Sequence, residues 1–387
     1  ISFNDQGVCN HCESFRSRKD WFPGDSGQNK LNSLIDSIKL EGRGKEYDCI
    51  LGLSGGVDSS YLALKTYEWG LRPLVFHVDA GWNSELAVAN IENVIKHCGY
   101  DLHTHVVDWE TMRGLHLAFL NAGIHVICDK PLAATMEQAN QISDSVEKSK
   151  ARFFLTHNYT AYPLIRQAQK LVKEGALGRI RVVQSEYVQD WLTNETSNRQ
   201  ADWRTDPKQS GAGSIGDIGT HAFNLVEFVT GLKTEAISAE LHSFVTGRKV
   251  DDNAHIRARL QDGVKAQIWT SQVAVGHEND LRIRVYGDKG GLEWRQENPN
   301  QMRLSIFGEP SKILTRGYGS DEGTRIPPGH PEGYLEGFAN LYSEIADTII
   351  GINSGENLPG LQSGLNGMWF ISACQESSEN DGMWVFR

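Results

Sequence analysis

The chain has 387 residues, 39% of them hydrophobic and 22% charged, which is ordinary for a globular protein and long enough for two or three domains with their own cores. Its 38 basic residues against 49 acidic ones leave a net charge of -11, which argues against a nucleic-acid surface and for a small-molecule partner, because phosphate binding relies on clustered Lys and Arg. No apolar run reaches the roughly eighteen residues of a membrane span, and the opening "ISFNDQGVCNHC" has neither a basic leader nor an apolar core, so no membrane contact and a cytoplasmic setting are expected.

Ile1 in place of Met fits a chain that is trimmed or cut from a longer one. Near it, Cys9 and Cys12 form a Cys-x-x-Cys pair. Even with His11 this falls short of the four ligands of a closed zinc site, so no metal is expected. Cys49, Cys98, Cys128 and Cys374 stand alone in apolar contexts and read as buried free thiols.

Residues 1–46 read as a polar extension with one helix, "NKLNSLIDSIKLEG". From 47 to 160 apolar strands alternate with amphipathic helices. The strands are "YDCILGLSGG", "RPLVFHVDAG", "DLHTHVV" and "IHVICDKP"; the helices are "VDSSYLALKTYEWG", "NSELAVANIENVIKHCG" with an Asn83 cap and a Gly99 stop, "TMRGLHLAFLNAG" and "TMEQANQISDSVEKSK". This alternation predicts a Rossmann-like α/β domain, one continuous parallel sheet covered on both sides. From 161 to 387 the pattern turns to period two in "GRIRVVQSEYVQDW", "EAISAELHSF", "NAHIRARL", "VKAQIWTSQVA", "DLRIRVYG", "GGLEWRQ" and "RLSIFG". An α+β domain with a large, mostly antiparallel sheet is expected there, with helices at "DIGTHAFNLVEFVTG" and "GYLEGFANLYSEIADTII".

Two stretches carry chemistry. In "GLSGGVDSS" a strand becomes a helix through small residues, so backbone N–H groups can wrap an anion at the positive helix end. The spacing is neither a Walker loop nor Gly-x-Gly-x-x-Gly. It resembles the Ser-Gly-Gly-x-Asp-Ser signature of PP-loop ATP pyrophosphatases. With "GVCNHC", "HVDAGWNSELAVANIENV" and "VDWETMRGLHLAF", residues 1–120 are similar to the opening of the N-acetyl sugar amidotransferases. That resemblance implies ATP with Mg, a glutaminase partner, and pyrophosphate contacts at Ser54, Gly55, Gly56, Asp58 and Ser59.

The second stretch begins near 115. "AGIHVICDKPLA", "THNYTAYP", "DWRTDP", "SGAGSIGDIGTHAFNLVEFVTG" and "GHPEGYLEGFANLY" resemble, in order, the Gfo/Idh/MocA family of NAD(P)-dependent sugar and inositol oxidoreductases. Hydride transfer from a carbinol needs a base for the hydroxyl proton and positive charge beside the developing alkoxide. The resemblance puts Lys130, Asp217 and His221 in those catalytic roles, with Lys130 and Pro131 also at the NAD or NADP, and His157, Tyr159, Trp203 and Arg204 in the substrate pocket. By spacing, Asp217 and His221 are four apart and project from one helical face, where Asp217 orients substrate or imidazole; on spacing alone they also fit a cap or a surface pair. Where the family often carries an acid three residues after this His, the chain has Asn224. The two resemblances meet at 111–124, in a helix with Met112, Leu115, Phe119 and Ala122 along one face, and the family's own glycine fingerprint is missing ahead of it. The expectation is an oxidoreductase of sugar or cyclitol substrates that forms homo-oligomers. An amidotransferase fragment and a non-catalytic nucleotide- or sugar-binding hybrid are the alternatives.

Overall fold

The structure, a computed structural model, describes residues 4, 6, 8–10, 13–14, 24–79, 85–107, 109–195, 199–317 and 323–387. His11, Cys12 and Asn83 lie outside them, and so does the side chain of Met112. The chain divides into two compact units, Ile1–Leu115 and His116–Arg387. The boundary falls inside the helix where the two resemblances meet, whereas the sequence pattern suggests one near 160.

The first unit holds α1 (Gly24–Glu41), β1 (Cys49–Gly52), α2 (Val57–Glu68), β2 (Pro73–Asp79), α3 (Glu85–Cys98) and β3 (Asp101–Val106); α4 (Trp109–Asn121) runs across the boundary. β1, β2 and β3 form a parallel sheet in that order. Leu51 and Val75 from the strands and Leu53 just past β1 pack with Ala63 of α2 and Ile91 of α3, so both helices serve one face. The other face is uncovered: Ile50 is 75% and Val78 51% exposed. The expected two-sided cover is therefore absent among the described residues.

The second unit begins with β4 (Val126–Cys128), α5 (Met136–Lys148) and β5 (Phe153–Leu155). Thr135 starts α5 with a capping box, its hydroxyl accepting from Gln138 N while the Gln138 side chain accepts from Thr135 N. β4 pairs with β5 and not with β3, which corrects the expectation of one sheet running through the junction helix. The reason is local. β5 is bound on its far side to the chain before the C-terminal helix, with Leu155 N donating to Pro359 O, and α5 packs against that helix. This segment therefore belongs to the C-terminal body.

After a 3-10 turn (Asn158–Ala161) come α6 (Pro163–Lys173), β6 (Ile180–Val188), short helices α7 (Arg199–Arg204) and α8 (Pro207–Ser210), a π turn (Ile215–Gly219) and α9 (Thr220–Thr230). The rest is β7 (Thr234–His242), β8 (Asn253–Leu260), β9 (Lys265–Ser271), β10 (Asp280–Gly287), β11 (Gly290–Arg295), β12 (Gln301–Ile306), β13 (Lys312–Thr315), α10 (Tyr334–Ile349), α11 (Leu361–Glu379) and β14 (Val385–Phe386). Nine strands form one sheet in the order β13-β12-β11-β10-β6-β9-β8-β7-β14. Only β6 with β9 is parallel, so the sheet is mostly antiparallel as the alternation predicts. α9 packs on β6 and α11 on β7. Between those helices Phe223 and Phe370 stack at 4.6 Å, an aromatic pair adding about 0.5–1.5 kcal/mol beyond burial.

Candidate active site

The strand β4 is followed by Asp129, Lys130 and Pro131, with the Lys130–Pro131 peptide cis. Asp129 Oδ1 accepts from Lys130 N at 2.9 Å and from the Thr156 hydroxyl, which ties the corner to the end of β5. From this anchor the Lys130 ammonium donates to the backbone carbonyl of Asp217 and stands 3.5 Å from Asp217 Oδ1. The other carboxylate oxygen accepts from Arg204 Nε at 3.2 Å and Gln272 Nε2 at 2.8 Å. Arg204 is steadied by Trp203, whose ring lies 4.4 Å from the guanidinium carbon, with Trp191 at 5.9 Å.

Asp217 sits in the π turn, the kind of widened turn often found at functional sites. The widening has a visible anchor. Asp251, buried ahead of β8, accepts from Gly213 N at 2.8 Å, Ser214 Oγ at 2.7 Å and Ile215 N at 2.9 Å. Burial raises its carboxyl above the usual range, against three donors that favour the anion. Gly213 allows the approach, since a Cβ there would lie 1.8 Å from the Asp251 carbonyl oxygen. Asp217 is thus presented by the turn, not spent as its cap.

His221 lies in the first turn of α9 and is 7% exposed. Its Nδ1 is 3.5 Å from Nδ1 of His157, and the rings of Tyr159 and Tyr187 stand 4.9 and 6.0 Å away. The Tyr159 and Tyr187 hydroxyls bond each other at 2.6 Å, and Tyr187 donates to Asn279 Oδ1 at 2.7 Å. Burial pushes Tyr159 up to about 12 and Tyr187 well above the ordinary phenol, so both stay neutral. Burial, then the Lys130 charge, then His157 push His221 well down, so it rests as a neutral imidazole able to accept a proton.

Lys130, Asp217, His221, His157, Tyr159 and Arg204 are thus brought together, and Trp203 joins through Arg204. Asp217 and His221, four apart in the chain, make different contacts. The carboxylate engages Lys130, Arg204 and Gln272, while the imidazole engages His157, and no Asp217–His221 hydrogen bond occurs. Gln272, Tyr187, Asn279 and Asp251 went unnoticed in the sequence; only the acidic pair in "VDDN" offered a signal.

His157 yields a pH prediction. Burial, with Lys130 adding to it, lowers its pKa from 6.5 to about 3. Because the folded value is depressed, the unfolded chain takes up a proton that the folded chain refuses. This stability is present above pH 6.5 and drains as pH falls toward 3. From pH 6.5 to 5 the loss is 1.5 units at about 1.4 kcal/mol each, about 2 kcal/mol. We expect urea unfolding at pH 5 and 7 to show it and His157→Asn to remove that share; an unchanged slope in the variant would contradict the assignment.

In the first unit, Ser54–Ser59 is a strand-to-helix turn as expected. Ser54 N–H and Oγ meet Ser59 Oγ at 3.2 and 3.1 Å, Gly55 takes φ +76, and Asp58 is exposed. A Cβ on Gly55 would lie 2.1 Å from Ala87 O, and Asn90 Nδ2 holds Gly55 O at 3.0 Å. β2 ends at Asp79. A sharp glycine turn into a helix N-terminus, followed by an acid at the next strand's end, fits a dinucleotide in kind, although the glycine spacing differs. Among the described residues, His277, Asp280 and Glu297 form one group able to ligate a metal, but Arg295 donates to both carboxylates at 2.9 and 2.8 Å and already supplies the cation. No described helix is long and apolar enough to cross a membrane.

Comparison with known proteins matches residues 81–157 to the family described as oxidoreductase family, NAD-binding Rossmann fold, and residues 165–293 to the GFO/IDH/MocA C-terminal domain. The uncharacterized oxidoreductase YfiI of Bacillus subtilis (strain 168) is 30% identical over 72% of this chain and 77% of its own. Levoglucosan dehydrogenase of Pseudarthrobacter phenanthrenivorans is 26% identical over 60% of this chain and 65% of its own. Among solved structures, an oxidoreductase from Sinorhizobium meliloti shares 37% identity with a TM-score of 0.66, covering 87% of this chain and 98% of that one. An inositol dehydrogenase homolog from Azotobacter vinelandii, complexed with NAD+, shares 26% identity with a TM-score of 0.70, covering 82% and 98%. The NAD-binding match reaches back to residue 81, inside the stretch that resembles amidotransferases. That corrects the boundary of the second resemblance, and none of these matches supports ATP, magnesium or a glutaminase partner.

Proposed function

Because this chain belongs to the GFO/IDH/MocA family of oxidoreductases, we propose that it oxidises a carbinol carbon of a sugar or cyclitol with NAD or NADP as hydride acceptor. The observation that carries this is the meeting of the Lys130 ammonium, the Asp217 carboxylate and a buried neutral His221 around one point of the C-terminal unit. The bound nicotinamide would supply the hydride acceptor. His221 takes the hydroxyl proton. Lys130 steadies the alkoxide as it forms. Asp217, held on Lys130, Arg204 and Gln272, keeps the ammonium aimed and offers an acceptor to a neighbouring substrate hydroxyl.

Tyr159, Trp203, Arg204 and His157 line or brace the sugar pocket in this reading, and Pro131 holds Lys130 at the cofactor. Ser54, Gly55, Gly56, Asp58, Ser59 and Asp79 are the residues of the first unit suited to the dinucleotide phosphates and ribose. A cytoplasmic setting belongs to the same proposal. So does a second copy of the chain on the outward face of the nine-stranded sheet, where Glu186, Arg284 and Trp269 stay only partly covered.

Thermal stabilisation of the full chain by NAD, NADP and ATP, read in parallel, tests the cofactor. At a hundredfold excess over Kd a specific ligand adds about 2.7 kcal/mol, so several degrees are expected with NAD or NADP and none with ATP. A shift with ATP alone would sink the proposal.

A further inference from the structure

Two imidazoles facing each other through like atoms pose a question of proton direction. His157 and His221 meet Nδ1 to Nδ1 at 3.5 Å with rings crossing at 83°. A neutral imidazole carries one ring proton, so a hydrogen bond here requires one ring to donate from Nδ1 and the other to accept at Nδ1. If His157 donates, His221 carries its proton on Nε2 and has no lone pair there for a hydroxyl proton. If His221 donates, its Nε2 is a base.

We propose that His157 is a positioning residue whose Nδ1 accepts the Nδ1 proton of His221, holding His221 in the tautomer with a basic Nε2. This rests on the reading of His221 as the base. Nε2 of His221 then takes the hydroxyl proton of the alcohol, while a bound nicotinamide would supply the hydride acceptor. The resulting imidazolium keeps its Nδ1–H on His157, which stays neutral throughout. His157 is well made for holding still. It precedes the 3-10 turn, its N–H donates to Leu155 O at 3.0 Å, and its carbonyl accepts from Thr160 N at 3.1 Å and Thr160 Oγ1 at 2.8 Å. The groups facing the pair are Lys130 from the β4 corner, Tyr159 from the 3-10 turn and Tyr187 from β6.

The test compares the full chain with His157→Leu, which removes the acceptor, and His157→Asn, which keeps an oxygen near the Nδ1 position. Ring nitrogen shifts of ¹⁵N-labelled histidine report the His221 tautomer without substrate or cofactor. We expect an Nδ1-protonated His221 in the wild type and in His157→Asn, and an Nε2-protonated one in His157→Leu. In turnover, His157→Leu should lower kcat by roughly tenfold to a hundredfold with little change in the substrate KM, and His157→Asn should restore most of it. A wild-type His221 protonated on Nε2 overturns the proposal, as does a tautomer indifferent to both variants. The tautomer reading stands apart from activity, so failure of the reading of His221 as the base, seen as full activity in His221→Asn, is told apart from failure of this one.

Discussion

We expect His221→Asn to lower kcat for polyol oxidation about a thousandfold, within the usual worth of a positioned base, and Lys130→Met to lower it about a hundredfold or more, the usual worth of a charge aimed at a developing oxyanion. The His221 ring is buried against His157, Tyr159 and Tyr187, and Asn keeps the site polar without a basic nitrogen. The Lys130 ammonium acts on both imidazoles, and Met keeps its length while removing the charge. Arg204 and Gln272 remain on Asp217 in that variant, so the carboxylate is not left bare. Initial rates of NAD(P)H formation with a panel of sugars and cyclitols, beside melting curves, measure both. Either variant keeping more than about a tenth of the activity would remove its residue from the role assigned.

The second large effect is on stability. Asp251→Ala strands Gly213 N–H, Ile215 N–H and the Ser214 hydroxyl inside the protein, and an unmade buried hydrogen bond costs about 1–3 kcal/mol. Allowing for partial rescue of Ser214 by Thr270, 3.1 Å away, we expect a net loss of about 3 kcal/mol and a melting temperature lower by several degrees. Because these bonds fix the start of the π turn, kcat should fall as well, by roughly tenfold, as Asp217 loses its bearing on Lys130. Asp251→Asn keeps one accepting oxygen and should fall between. Calorimetry showing Asp251→Ala within about a degree of wild type would refute the anchoring role.

The regular strands were readable because their burial alternates. "NAHIRARL" and "DLRIRVYG" coincide with β8 and β10, whose inward residues Ile256, Ala258, Ile283 and Val285 are buried. β5 escaped notice because three wholly buried residues carry no alternation. The helix α11 escaped because Gly364 and Gly367 weaken its helical signal. It forms because those glycines let it lie close to neighbours, a Cβ on Gly364 meeting Leu132 at 3.0 Å. The continuous front sheet was a reasonable expectation from alternating strands and helices. It failed because "DLHTHV" buries little and offers β4 no apolar edge, while Phe153–Leu155 does.

By itself the sequence determined the alternation of elements in each half and pointed to three side chains, Lys130, Asp217 and His221, as candidates, because periodicity and motif are local properties of the chain. The tertiary structure alone decided which atoms those side chains meet. His157 lies 64 residues from His221, and Asp251 lies 36 residues from Ile215, whose turn it anchors. Only folding brings such distant polar groups together, and their burial is what makes each hydrogen bond matter and sets where the protons sit.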